Sequence, residues 1–210
     1  MIIRCCAELS NTFLYVNDTP LENGRHEAML VDCSADPGVI KRACAEKEAD
    51  IRYIVLTHGH YDHVTAFEEV RKLLPDAVTF CHSLENKVLT DIDANVSELF
   101  GDPKVFPECE KTLEEGDSIV LRGEKTVTFK VLHTPGHTPG CICLLNEDEG
   151  IMFTGDTLFA NGGVGRTDFK WGSTAVLEKS LRRLSLLDGN ITILPGHGGL
   201  STIADELGYF

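Results

Sequence analysis

The sequence contains no long apolar run and little positive charge. No apolar stretch reaches the roughly 20 residues that a helix needs to cross a bilayer, and the first residues lack the regions of a secretory signal peptide. The sequence has 19 Lys and Arg residues against 33 Asp and Glu residues, which gives a net charge of -14 at pH 7. Binding of a phosphate backbone needs clustered cations. We therefore expect a cytoplasmic protein that binds neither membranes nor nucleic acids, and that acts on a small molecule.

Linkers and low-complexity segments are also missing. A chain of 210 residues suits one domain, since roughly 100 to 200 residues per domain is the usual range, and we predict a single domain over residues 1–210. No GxSxG motif for a nucleophilic serine is present. The eight cysteines come without an export signal, so we expect reduced thiols rather than disulfides.

A dense group of ligand-type side chains occupies positions 58 to 63. The segment THGHYDH follows the apolar run Tyr53–Leu56 and contributes His58, His60, Asp62 and His63. Imidazole and carboxylate groups suit zinc, iron or manganese. A single histidine is usually a core or surface residue, whereas three histidines and an aspartate at this spacing indicate a metal site.

Three more candidate ligands occur later, each after a short apolar run and a turn. They are His137 in TPGH, Asp156 in FTGD and His197 in LPGH. Apolar runs that end at Gly or Pro are typical of strands, so each candidate lies just beyond the end of a predicted strand. We therefore expect all seven side chains to meet at one edge of the sheets. Seven ligands exceed the needs of one ion, and they favour a catalytic site with two ions over a closed structural zinc site.

Hydrophobic periodicity predicts an α/β chain in which strands dominate each half and helices follow them. The predicted strands span residues 2–7, 12–17, 28–33, 51–57, 78–80, 118–122, 126–133, 140–145, 150–154 and 191–194. The predicted helices span residues 36–48, 83–90 and 174–187, with others after His63 and Ser201. We interpret His26, His82 and His133 as structural, because no partner motif accompanies them.

Two further regions receive separate interpretations. The glycine-rich stretch 159–172 is predicted to be a loop beside the metal-binding edge. Its Arg166 either holds a substrate carboxylate by a two-pronged hydrogen bond, or pairs with Asp168 or Asp156 and stiffens the loop. Residues 76–110 are harder to interpret, with the strand 78–80 and the helix 83–90 followed by a polar segment, and we assign them no catalytic part.

The motifs THGHYDH, TPGHTPG, FTGDTLF and LPGHG, in this order and at this spacing, resemble those of the metallo-β-lactamase superfamily. Within it they most resemble the short glyoxalase II-like hydrolases, and the segment GGVGRTDF and the ending PGHGGLST strengthen this narrower match. The resemblance implies an αββα sandwich of two sheets with outer helices. It also implies a first metal on His58, His60 and His137, a second on Asp62, His63 and His197, and Asp156 as a bridge between them.

The implied function is hydrolysis of thioesters such as S-lactoylglutathione by a hydroxide held between two divalent ions, most often zinc, with iron or manganese as alternatives. Such ions lower the pKa of water to about 7, and Asp62 would orient the hydroxide. A thiolate, with a conjugate-acid pKa of about 8.5, leaves without a strong general acid.

Other functions remain open at this point. One is a persulfide dioxygenase, which resembles this sequence in its GRTDF-like segment and uses a single iron. Another is hydrolysis of a lactone, a β-lactam or another ester, since the ligands define activated water and not the acyl group. A metal-binding module without turnover would be expected to have lost ligands, and none is lost here.

Overall fold

Two six-stranded β-sheets form the centre of the structure, a computed structural model that describes residues 1–6 and 8–207. The strands of the first sheet are β1 (Ile2–Cys6), β2 (Thr12–Val16), β3 (His26–Val31), β4 (Ala49–Val55), β5 (Val78–His82) and β6 (Lys111–Leu113). They lie side by side in sequence order. The first three strands are antiparallel, and β4, β5 and β6 each run parallel to the strand before them.

The second sheet contains the strands of the C-terminal half. These are β7 (Ser118–Leu121), β8 (Val127–His133), β9 (Ile142–Asn146), β10 (Ile151–Gly155), β11 (Thr192–Pro195) and β12 (Ser201–Thr202). They also lie in sequence order from one edge to the other. β10 and β11 run parallel, and the other neighbours are antiparallel.

The helices are α1 (Pro37–Glu46), α2 (Tyr61–Val64), α3 (Phe67–Leu73), α4 (Glu85–Leu89), α5 (Thr174–Leu184) and α6 (Ile203–Leu207). Asp36 caps α1, since its carboxylate accepts hydrogen bonds from the backbone N–H groups of Gly38 and Val39. A 3-10 helix spans Ser97–Phe100. No helix in the described part of the chain has the length and apolar character needed to span a membrane.

Successive strand residues alternate between apolar layers on the two faces of each sheet. In β2, Phe13 and Tyr15 pack between the sheets, whereas Leu14 and Val16 pack with α1 and α3 on the outer face. On the other side of the sandwich, β9, β10 and β11 pack against α5 and α6. These layers give the order helix, sheet, sheet, helix, so the predicted αββα sandwich is confirmed.

A few boundaries differ from the prediction. β3 ends at Val31, two residues early, because Asp32 adopts a left-handed backbone conformation with a φ of 60°. The helix predicted after His63 is divided into α2 and α3 around Ala66. The sequence does not predict β6 and β12, because such short strands cannot show an alternating pattern. The predicted strand 2–7 ends at a residue that lies outside the described part of the chain.

The cysteines of the second sheet pack as small apolar residues. Cys141 and Cys143 are buried at the start of β9 and carry free thiols. Burial raises the pKa of the Cys143 thiol to about 11 and the pKa of the Cys141 thiol well above its usual range. Both side chains therefore stay protonated at neutral pH and have the properties of structural residues.

Candidate metal centre

Seven side chains with ligand chemistry meet at one edge of the sandwich, where loops leave the C-terminal ends of strands from both sheets. They are His58 and His60 after β4, Asp62 and His63 in α2, His137 between β8 and β9, Asp156 after β10, and His197 after β11. They fall into three overlapping groups in which all ligand atoms lie within 4.8 Å of one another. The structure thus brings together every ligand that the sequence predicts.

The first group contains His58, His60 and His137, all of them buried. Nε2 of His58 lies 3.3 Å from Nε2 of His137, and the ring of His60 meets the ring of His137 edge to face at 4.4 Å between centroids. Nitrogens held by one tetrahedral zinc ion at about 2.0–2.1 Å lie about 3.3 Å apart. The observed separation therefore fits two ligands of a single ion.

The second group contains Asp62, His63 and His197. Nε2 of His197 lies 3.1 Å from Oδ2 of Asp62 and 3.4 Å from Nε2 of His63. His197 is 35% exposed, whereas His63 is fully buried. This group lies toward solvent, where a substrate can reach it.

Asp156 lies between the two groups. Its Oδ1 is 3.1 Å from Nε2 of His63, and its Oδ2 is 3.5 Å from Nε2 of His137 and 3.4 Å from Nε2 of His197. A single carboxylate that reaches both groups is the arrangement expected of a bridging ligand. The position of Asp156 agrees with the role that the resemblance implies for it.

Two buried atoms at this edge have no hydrogen-bond partner among the described residues: Nε2 of His60 and Oδ1 of Asp156. Oδ1 of Asp156 is close to Nε2 of His63, yet their geometry does not form a hydrogen bond. A buried polar atom without a partner costs about 1–3 kcal/mol. A divalent cation would satisfy both atoms, so the donor set fits metal binding.

The histidines of the two groups differ in the direction of their pKa shifts. Burial lowers the pKa of His60 to about 3 and also lowers the pKa of His58 and His137, so these three imidazoles are neutral and offer lone pairs at neutral pH. Burial also lowers the pKa of His197, but hydrogen bonds with Asp156 and Asp62 outweigh it and raise that pKa to about 9. A cation that enters the second group must therefore displace protons.

The outer ring nitrogens of three candidate histidine ligands contact neighbouring groups. Nδ1 of His137 donates to the carbonyl of Arg166 at 2.6 Å. Nδ1 of His63 donates to Asp32 at 2.8 Å, and Nδ1 of His58 lies 3.2 Å from the hydroxyl of Thr57. Each of these contacts leaves the other ring nitrogen directed toward the centre, which is how proteins orient metal-binding imidazoles.

Asp32 is a residue of this site that the sequence reasoning missed. It is buried, and it accepts hydrogen bonds from both the backbone N–H and the hydroxyl of Thr57 at 2.7 and 2.8 Å, in addition to the one from His63. Its positive φ costs about 1–3 kcal/mol, a strain often found at functional sites. The sequence does contain a sign of this role, because Asp32 follows the apolar run Ala28–Val31, as the other candidates follow apolar runs.

Glu85 is the second missed residue, and it lies in the region to which the sequence gave no catalytic part. Its fully buried carboxylate accepts hydrogen bonds from the backbone N–H of Gly59 at 2.6 Å, the hydroxyl of Thr138 at 2.7 Å and the backbone N–H of Gly140 at 2.7 Å. Burial raises the pKa of Glu85 to about 7, while these donors oppose the rise. Glu85 therefore joins the turn of His58 and His60 to the turn of His137.

Two glycines allow the ligand loops to approach one another. A Cβ atom on Gly196 would lie 2.3 Å from Oδ1 of Asp156 and 2.5 Å from Cε1 of His63. A Cβ atom on Gly165 would lie 2.1 Å from the carbonyl oxygen of Asp156 and 2.8 Å from the ring of His137. Any larger residue at either position would displace a candidate ligand.

A cavity of about 330 Å³ opens onto the ligands. Its lining combines candidate ligands with apolar side chains, which are Val96, Phe100, Phe159, Val164 and Phe169. The ring of Phe169 meets the ring of His60, and the ring of Phe159 meets the ring of His197, both edge to face. The region 76–110 thus supplies part of the wall through Val96 and Phe100.

Arg166 also lines the cavity, in the loop that the sequence predicts beside the metal-binding edge. Its Nε and Nη2 atoms donate to the two carboxylate oxygens of Asp168 at 2.8 and 2.6 Å. Its guanidinium group lies over the ring of Phe169, 4.2 Å from the centroid. The structure therefore shows the second of the two interpretations of Arg166, in which it pairs with Asp168.

The remaining described histidines lie away from this centre. His82 and His133 stack on each other at 4.0 Å, and His82 also pairs with Glu114. His26 contacts the carbonyl of Asn17. None of the three belongs to a group with metal-ligand geometry in the described residues, in agreement with the structural roles that the sequence indicates.

Comparison with known proteins establishes the family. Residues 9–197 match the family described as the metallo-beta-lactamase superfamily. The chain belongs to this superfamily, whose fold and histidine and aspartate cluster it shares. The resemblance inferred from the motifs is therefore confirmed, and the class of protein is a metallo-hydrolase.

Individual relatives carry different activities. The chain is 32% identical to hydroxyacylglutathione hydrolase GloC of Haemophilus influenzae over 85% of this chain and 84% of that protein. It is 34% identical to mitochondrial persulfide dioxygenase ETHE1 of Bos taurus over 86% of this chain and 64% of that protein. The crystal structure of the BLEG-1 B3 metallo-beta-lactamase superposes with a TM-score of 0.85 at 28% identity, over 100% of this chain and 97% of that one. These three proteins are named for three different reactions. The similarity therefore establishes the family and leaves the reaction of this chain open.

Proposed function

We propose that this chain is a glyoxalase II-like thioesterase that hydrolyses small thioesters with two divalent metal ions, zinc in the first instance. One observation carries the proposal: seven ligand-type side chains lie together next to a cavity of about 330 Å³, as two groups of three with Asp156 within 3.5 Å of a member of each. The similarity to GloC supports the choice of a thioester among possible acyl compounds.

The residues of the first ion would be His58, His60 and His137, and those of the second Asp62, His63 and His197, with Asp156 shared between them. Bound ions supply a water of lowered pKa and a Lewis acid for the acyl oxygen. Together with Asp156, each group would offer N and O donors without cysteine, a set that suits zinc, iron or manganese.

The chain itself positions the reacting groups. Asp62 is partly exposed toward the cavity, and its Oδ2 lies 3.1 Å from Nε2 of His197, so it can accept and orient a proton of an attacking water. The aromatic rings of Phe159 and Phe169 pack edge to face against His197 and His60 and form apolar walls beside the candidate ligands. The departing thiolate needs no strong general acid from the chain, because its conjugate acid has a pKa of about 8.5.

A substrate panel on metal-loaded protein tests the proposal. The panel contains a thioester, a lactone, a β-lactam and a persulfide, and the metal-stripped protein is the control. We expect the highest kcat/KM with the thioester and loss of turnover after stripping. A kcat/KM that is higher with the lactone or the β-lactam than with the thioester would contradict the proposed thioesterase and favour another hydrolase.

The persulfide is in the panel because ETHE1 is a relative of comparable identity. In that arm, oxygen consumption is measured with iron-loaded protein. Oxygen consumption that depends on the persulfide, without thioester hydrolysis, would contradict the proposed reaction and favour a dioxygenase.

A further inference from the structure

The cavity beside the metal ligands has apolar walls and one permanent cation. Among its lining residues, all of them described, Arg166 alone carries a permanently positive side chain. Both carboxylate oxygens of Asp168 occupy donors of Arg166, and the face of its guanidinium group covers Phe169. An entering carboxylate therefore meets a cation whose charge Asp168 already balances.

Lysines beside the lining residues are also paired. Lys170, next to Phe169, donates to Asp91 at 2.6 Å and lies 3.4 Å from Asp93. Lys104 lies 3.6 Å from Asp102 and packs over the ring of Phe106. Arg166 and these two lysines thus each have a carboxylate partner, in a chain with a net charge of -14.

On the basis of the proposed function, we infer that this cavity selects thioesters with neutral, apolar thiol carriers over thioesters of anionic thiols such as glutathione. Asp168 sets this preference by holding Arg166. An apolar group gains free energy by leaving water against Val96, Phe100 and Val164. A carboxylate brought to the same apolar wall loses hydration, and Arg166, the cation in that wall, is already paired with Asp168.

The size of the effect follows from the exposure of the pair. Arg166 and Asp168 are 62% and 65% exposed, and solvent screens ion pairs between exposed side chains, so such a pair contributes little. Release of Arg166 should therefore change the preference between anionic and neutral ligands by about twofold to fivefold.

The experiment separates binding from turnover. Binding to the metal-loaded protein is measured by calorimetry with two unreactive thioethers that share a hexyl group, S-hexylglutathione and S-hexyl-N-acetylcysteamine. Turnover is measured with the two corresponding hexanoyl thioesters. The variants are Asp168→Asn and, as a control, Asp50→Asn, which removes the same charge from a remote pair with Arg25 at 2.6 Å.

We expect the neutral thioether to bind more tightly, and Asp168→Asn to shift the ratio of the two affinities toward glutathione by about twofold to fivefold. Asp50→Asn should leave this ratio at the wild-type value. Tighter binding of S-hexylglutathione by the wild type, an unchanged ratio in Asp168→Asn, or an absence of binding by both thioethers would overturn the inference. If the binding preference holds while neither thioester is hydrolysed, the proposed thioesterase function fails and the selectivity of the cavity stands.

Discussion

Replacement of Glu85 by glutamine tests whether a residue that touches no candidate ligand nevertheless sets the geometry of the metal site. The change keeps the shape of the side chain. Its amide offers one acceptor oxygen, whereas the carboxylate offers two, one to Gly59 and the other to Thr138 and Gly140. If the amide oxygen keeps the two later contacts, its NH2 group faces the N–H of Gly59, and the peptide between His58 and His60 loses its anchor.

Two opposing contributions determine the stability of this variant. An unsatisfied buried N–H at Gly59 costs about 1–3 kcal/mol. A neutral amide, however, avoids the burial of a charge: the rise in the pKa of Glu85 from 4.5 to about 7 corresponds to a cost of about 3 kcal/mol for the ionised form above pH 7. We therefore expect Glu85→Gln to unfold with a free energy close to that of the wild type at pH 8.

We expect Glu85→Gln to change the affinity for metal much more than the free energy of unfolding. Loss of the groups that orient metal ligands typically lowers metal affinity by about 10- to 100-fold, and we expect a loss in this range for Glu85→Gln. Urea unfolding gives the stability, and competition with a chromophoric chelator gives the affinity. Cobalt-substituted protein should also show an altered absorption spectrum.

A matched control is available in Glu27, another buried carboxylate, which accepts a hydrogen bond from the backbone N–H of Arg122 at 2.7 Å far from the ligands. Glu27→Gln should keep the wild-type affinity and cobalt spectrum. If Glu85→Gln also keeps both, Glu85 serves only the packing of α4 and the reasoning is refuted.

Three further outcomes are expected. Metal analysis of the purified protein should find close to two divalent ions per chain, and full turnover at a stoichiometry near one would contradict the two-ion site. Asp62→Ala should lower kcat far more than Arg166→Ala in steady-state assays, because Asp62 is a proposed ligand; equal losses would mean that Arg166 contacts the transition state. Gly196→Ala should reduce metal content, because its Cβ would lie 2.3 Å from Asp156, whereas Gly199→Ala, with no atom within 4 Å of the added carbon, should retain it.

Much of the site was predictable because each candidate ligand follows a local pattern, an apolar strand and then a turn. This pattern places His58, His137 and Asp156 at strand ends without knowledge of the tertiary structure, and parallel β3, β4 and β5 bring such ends to one edge. The order of the layers follows from the alternation of buried residues in strands such as β2.

The residues that support the ligands were harder to predict. Glu85 lies in a short helix that the sequence predicts, but its role depends on contacts with residues 26 to 55 positions away. Nothing local distinguishes it from an exposed glutamate. Val96, with a φ of 58°, and Phe100 reach the cavity through an irregular segment whose course depends on tertiary contacts. Pairing of Arg166 with Asp168 was one of two open interpretations, because local sequence cannot exclude a substrate as the partner.

The candidate ligands follow strands of both sheets, and this affects how metal binding would stabilise the fold. His58 and His60 belong to the N-terminal sheet and His137 to the C-terminal one, so an ion in the first group would act as a removable cross-link between the two halves of the sandwich. Free ion at 100 times its dissociation constant would stabilise the folded chain by about 2.7 kcal/mol. Since neither half alone offers the full set of donors, this stabilisation vanishes as soon as the sheets separate, and the loaded chain should unfold more cooperatively than the stripped chain.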